Sequence, residues 1–158
     1  MTLISRCLGV ADSGARLAVM TATAIMVVVV SAQVVMRYAF NGSFDWADEI
    51  SRLAFVWAIF LAIPLGVSQG SHVGIRLLVE RLPENLNNLI QRLMNLLAGM
   101  MMLVVFGGSI VVAQTTWSER LGSIDITSSV FFFPVIIGAA HSAIHLLVGT
   151  FAPRVSTS

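Results

Sequence analysis

The chain has 158 residues, 57% of them hydrophobic and only 11% charged, with a mean hydropathy of +0.90; a soluble globular domain carries about 25% charged residues, so composition excludes one. A formal net charge of +1, with every basic residue an arginine, offers no electrostatic footprint for nucleic acid. The single cysteine, Cys7, excludes an internal disulfide framework and paired-thiol redox chemistry.

A helix rises about 1.5 Å per residue, so about 20 apolar residues cross a hydrocarbon core of about 30 Å. Arg6 and Arg16 precede a charge-free run that predicts a first transmembrane helix over 17–36. Val30-Ser31-Ala32 resembles a signal-peptide cleavage site, but a run of this length reads as a retained span. Gln33 is a strong polar residue inside it, suited to bonding a neighbouring helix.

The next stretch, "RYAFNGSFDWADEISRLAFVW" (37–57), sets Asp45, Asp48, Glu49, Arg37 and Arg52 between two apolar runs. Asp45 is placed to cap a second helix, and Asp48 and Glu49 fall in its first turn, where the helix dipole favours carboxylates. Arg52 lies within pairing reach of both acids on one helix face. Tyr38, Trp46 and Trp57 suit the aromatic belts of a membrane interface. A helix start at a membrane boundary accounts for all these charges without further function.

The second span is expected over 47–70, with Pro64 kinking it and Gly66, Gly70 and Gly74 repeating at the spacing that lets helix backbones approach. Residues 73–92 follow as an amphipathic interfacial segment: Leu86, Leu89, Ile90 and Leu93 share a face, and Pro83 suits a helix start. The same pattern also reads as the wet beginning of the next span.

The third span is expected over 93–117, with Gln114 as its polar residue and Met100, Met101 and Met102 as adaptable packing. The fourth is expected over 127–150, with a kink at Pro134 and a small-residue stripe of Gly138 and Ser142 beside Ala139 and Ala143. His141 and His145 share one face of it, which reads as a polar stripe against a partner helix in preference to a haem or metal site.

Continuous rather than alternating apolar runs exclude strands. The fold expected is therefore an all-α integral membrane protein, residues 1–158 forming one membrane domain of four transmembrane helices. Arginine gathers before the first span, between the second and third, and after the fourth, which predicts that both termini are cytoplasmic. No span centre holds Asp, Glu, Lys or Arg, which argues against an autonomous pore, carrier or small exporter.

The 37–57 stretch resembles the signature of the small membrane subunit of tripartite ATP-independent periplasmic (TRAP) transporters. There, an Arg-Tyr-x-Phe-Asn run ends the first span, and Trp-x-Glu-Glu-x-x-Arg with a following Phe-x-Trp opens the second. Arg37, Tyr38, Phe40, Asn41, Trp46, Glu49, Arg52, Phe55 and Trp57 stand at those places, and Asp48 replaces the first Glu. "GSHVGIRLLVERLP" is similar to a second motif of the family through His72, Leu77, Leu78, Leu82 and Pro83, although Arg76 stands at the usual acidic place. A looser third likeness lies in "LGSIDITSSVFFFPVIIG".

The resemblance implies an accessory scaffold subunit of a sodium-coupled, secondary-active importer of carboxylate-type solutes in a bacterial inner membrane. It implies a large multi-span membrane subunit and a periplasmic substrate-binding protein as partners, with the sodium sites on the large subunit. No catalytic residue, cofactor or metal is then expected in this chain. Candidate partner-interface residues are Arg37, Trp46, Asp48, Glu49, Arg52, His72, Gly66, Gly70, Gly138 and Ser142. The competing reading is a membrane anchor for a redox enzyme, with His141 or His145 near its cofactor.

Overall fold

The computed structural model describes residues 3–68 and 84–151. Four helices long and apolar enough to cross a membrane account for most of them: α1 (Leu3–Phe40), α2 (Ala47–Ser68), α3 (Glu84–Thr115) and α4 (Phe133–Phe151), the last preceded by a single 3-10 turn at Ser128–Phe131. No strand forms among the described residues, apart from one isolated antiparallel bridge between Arg120 and Thr127.

The helices pack as a row. α1 lies along α2, α2 along α4, and α4 along α3, so α1 and α3 form the two edges. Edge side chains such as Val28, Met101 and Val104 stay exposed, which suits a lipid exterior as apolar as they are. The buried set is correspondingly small and mostly of small side chains: Ala15 and Ala22 on α1, Ala47, Ala54, Leu61, Pro64 and Leu65 on α2, Ser109 and Ala113 on α3, and Ala139, Ser142, Ala143 and Leu146 on α4. Lipid supplies no hydrophobic force between helices, so close backbone approach across small residues and buried hydrogen bonds do the joining.

Two helices start earlier than their hydrophobic runs. α1 includes Arg6, Asp12 and Arg16, and its 38 residues span about 57 Å, more than a bilayer core needs. α3 starts at Glu84 and passes without a break into its apolar part, so residues 84–92 continue the third helix instead of forming a separate element. The expected positions 69–83, including His72, Gly70, Gly74 and the first part of the interfacial segment, lie outside the described residues.

The ends have local causes. α1 stops where Asn41 enters the left-handed region at φ 50°, a conformation Asn tolerates, and the Gly42 N–H turns back to the Met36 carbonyl at 3.2 Å. Arg37 in its last turn complements the dipole. At α2 the Ile50 N–H bonds the Trp46 carbonyl, which makes Trp46 the cap position; Asp45, expected there, is exposed in the preceding turn. Pro134 is the second residue of α4, where no N–H is required, so it begins a helix and kinks nothing.

Candidate functional site

The loops 41–46 and 116–132 meet in one surface at one end of the row, the loop end. The acids at the start of α2 hold it together. Asp48 accepts from the Gln33 side-chain amide of α1 at 3.0 Å, and Glu49 Oε1 accepts from the Ser123 backbone N–H at 3.0 Å. Gln33 thus bonds a neighbouring helix as expected, whereas the side chain of Gln114 is exposed at the end of α3. The pairing expected of Arg52 with Asp48 and Glu49 does not form; Arg52 is exposed and makes no ion pair among the described residues. An exposed pair gains little against side-chain entropy, and donors fixed by packing and backbone win the acids. Glu49 Oε2 is buried and has no hydrogen-bond partner among the described residues.

Around these acids, Trp46 is 44% exposed and packs on Phe44 at a ring-centroid distance of 5.4 Å, while Arg37 is exposed. The facing loop is shaped by backbone pairing: Leu121 N–H to Ile126 O at 3.0 Å and Ser128 N–H to Glu119 O at 2.9 Å. Arg120 and Asp125 form an ion pair at 3.1 Å on the outside of that loop. Both side chains face solvent, so Asp125→Asn is expected to change stability by no more than about 0.5 kcal/mol in a thermal melt of the full chain.

The small-residue candidates separate into two kinds. Gly138 and Ser142, expected at a partner interface, are both buried inside the chain, Gly138 against Phe60 of α2. A Cβ at Gly138 would lie 2.9 Å from the Phe60 carbonyl carbon and closer still to its oxygen. Gly66, in contrast, would place a Cβ within 4 Å of no atom among the described residues.

Toward the opposite end, which carries the start of α1 and the end of α4, the structure gathers residues that the sequence kept apart. His145 Nε2 and His141 Nε2 on α4 lie 3.0 Å and 3.1 Å from one oxygen of Asp12 on α1, and 3.1 Å from each other. These three side chains are the described group able to hold a metal ion. The histidine spacing was visible in the sequence; Asp12 was not, because it precedes the hydrophobic run and lies more than a hundred residues away.

Residues 26–154 match the family model for the DctQ component of tripartite ATP-independent periplasmic transporters. Two proteins of Haemophilus influenzae named as TRAP transporter small permease proteins are similar: one is 36% identical over 81 residues, covering 51% of this chain and 48% of the relative. The other is 25% identical over 118 residues, covering 75% of this chain and 72% of the relative. A C4-dicarboxylate TRAP transporter small permease protein of Vibrio cholerae is 33% identical over 64 residues, 40% of this chain and 28% of its own length. The chain thus spans about half the length of the first of these relatives in the matched region.

Proposed function

We propose, from the premise that this chain belongs to the DctQ component family of tripartite ATP-independent periplasmic transporters, that it is the accessory scaffold of a sodium-coupled importer of carboxylate-type solutes. As a TRAP small permease it is a transporter component and not an enzyme. The redox-anchor reading has no support from the family match.

The observation that carries the scaffold role is the placement of charge. Every Asp, Glu and Arg of the four described helices lies toward a helix end, and the middle of each span is free of them. A carrier moving an organic anion needs polar groups near the bilayer midplane. Solute and sodium sites then belong to a large multi-span membrane subunit, and capture to a periplasmic binding protein. A row with two apolar edges is a shape that can lie against a larger membrane body and widen its stationary part. The carboxylate class of solute is supported by the name of the Vibrio cholerae relative. The family supports a bacterial inner-membrane location, and the arginine distribution supports cytoplasmic termini, which turns the loop end to the periplasm. Arg37, Trp46, Asp48, Glu49 and Arg52 then face the arriving binding protein, with Gly66, Gly70 and His72 left for contact with the large subunit.

The partner is tested by purifying the tagged chain from its native membrane. A multi-span companion is the expected result; a soluble subunit with a coloured redox cofactor would overturn the proposal. Docking is tested separately with Arg52→Glu, an exposed change that breaks no bond among the described residues; charge reversal at Asp48 and Glu49, which also breaks their bonds to Gln33 and Ser123, is read beside it. Uptake is expected to fall while the membrane subunits still co-purify. Uptake at the wild-type rate would remove these residues from docking.

A further inference from the structure

We propose that Asp12, His141 and His145 form a binding site for one divalent transition-metal ion of the zinc class, which clips the first turns of α1 to α4. The argument begins with proton counting. Asp12 Oδ1, His141 Nε2 and His145 Nε2 form a triangle with sides of 3.0 Å, 3.1 Å and 3.1 Å. An ionised carboxylate only accepts, and each Nε2 carries at most one hydrogen. If both imidazoles donate to Asp12, two N–H groups face one another. If one imidazole donates to the other, the acceptor's lone pair faces the carboxylate. Protons therefore satisfy at most two edges of the triangle and leave at least one repulsive, whereas a cation between the three ligand atoms is coordinated by all of them at once.

The dimensions fit such an ion. Zinc binds imidazole nitrogen and carboxylate oxygen at about 2.0–2.1 Å, and tetrahedral geometry then separates the donor atoms by about 3.3–3.4 Å. Opening the triangle by a few tenths of an ångström meets that requirement through small side-chain rotations. Two histidines four apart on one helix face is a spacing zinc sites use, and two imidazoles with one carboxylate suit borderline divalent metals. The three side chains are 12%, 13% and 19% exposed, enclosed yet open enough for an ion to enter and for water to take a fourth position. Asp12 lies about 14 Å along the axis from the start of α1, and His145 and His141 about 9 Å and 15 Å from the end of α4.

The site also has mechanical meaning. α1 packs along α2 and shares no comparable seam with α4; an apolar cleft of about 870 Å³ opens between them, with Trp57 and Leu61 on α2 and His141 at its wall. Among the described residues, Asp12 is the one residue of α1 that the structure bonds to α4. An ion held there ties the edge helix across the cleft.

The full chain, purified without a polyhistidine tag and stripped with a chelator, is titrated with Zn²⁺ and with Co²⁺ as a spectroscopic probe. Wild type is expected to take up one ion per chain, to show the visible absorption of four-coordinate cobalt, and to melt at higher temperature with zinc. Asp12→Asn and His145→Gln are each expected to weaken binding at least about tenfold, whereas Asp12→His, which keeps three donors, retains it. Asp125→Asn, at the exposed ion pair of the loop end, is the control expected to bind as wild type does. Size-exclusion profiles show which variants remain folded. Substoichiometric zinc on folded wild type, or undiminished binding by a folded His141→Gln, His145→Gln double variant, would overturn the proposal.

Discussion

Replacing Gly138 with alanine is expected to destabilise the full chain by about 1–3 kcal/mol, read as a lower unfolding midpoint in detergent micelles. The reason lies across the α2–α4 seam. Pro64 has no N–H, so the Phe60 carbonyl four residues earlier loses its helical partner. That carbonyl lies against the bare Cα of Gly138, the close approach that a Cβ would block. A Cα–H to carbonyl contact contributes about 0.5–1 kcal/mol and partly replaces the lost bond. The added methyl meets backbone, which cannot rotate away as a side-chain tip could. Gly66→Ala and Gly107→Ala supply the contrast: open space surrounds both positions. Each should leave the midpoint unchanged or raise it slightly, because glycine inside a helix costs roughly 0.5–1 kcal/mol relative to alanine.

The same geometry predicts coupling between Pro64 and Gly138. Pro64→Ala restores the donor and draws the Phe60 carbonyl back into α2, relaxing the crowding at position 138. In a double-mutant cycle the Pro64→Ala, Gly138→Ala chain should therefore lose less than the sum of the single losses. Strict additivity would show that the missing helix bond and the close approach are independent.

The lipid-crossing lengths of the four helices were readable from hydrophobic runs, because burial of backbone polar groups in lipid leaves few alternatives. Their ends were less readable. A hydropathy run marks where lipid begins, whereas a helix continues into the headgroups as long as its residues allow; hence α1 reaches back past Asp12 and α3 past Arg92. Pro134 was read as a kink because a proline looks the same one turn into a helix as at its start. The stripe of Gly138 and Ser142 was visible as a close-packing signal, but periodicity cannot say whether the backbone it admits is the chain's own or a partner's. At the loop end, Glu49 and Arg52 looked complementary along one helix, yet the Ser123 N–H was the better partner, and only tertiary structure brings it there. Asp12 and the two histidines are the extreme case: each is unremarkable in its own segment, and their chemistry exists only where α1 meets α4.

Removing the Ser129 hydroxyl should cost about 1–3 kcal/mol, the second largest effect expected of a single substitution. The last carbonyls of a helix have no N–H ahead of them. In α3 the Val112 and Gln114 carbonyls find donors in the turn that follows, from Thr116 and Trp117, but the Ala113 carbonyl receives its bond from Ser129 Oγ at 2.6 Å. Ser129 is fully buried, with Thr116 Oγ1 3.2 Å from its hydroxyl, so water cannot readily replace the donor. Its position is set by the 3-10 turn, whose start is capped by Thr127 accepting from the Ser129 N–H. Thr127 in turn donates to the Trp117 carbonyl at 2.7 Å, so one short segment closes the end of α3 and aims α4. Ser129→Ala is therefore expected to lower the melting midpoint and to speed hydrogen exchange at the end of α3. Ser128→Ala, a half-buried hydroxyl with no such bond, serves as the neighbouring control and should change neither. Equal behaviour of the two variants would show that Ala113 finds another donor and that the loop's hold on α4 rests on its backbone alone.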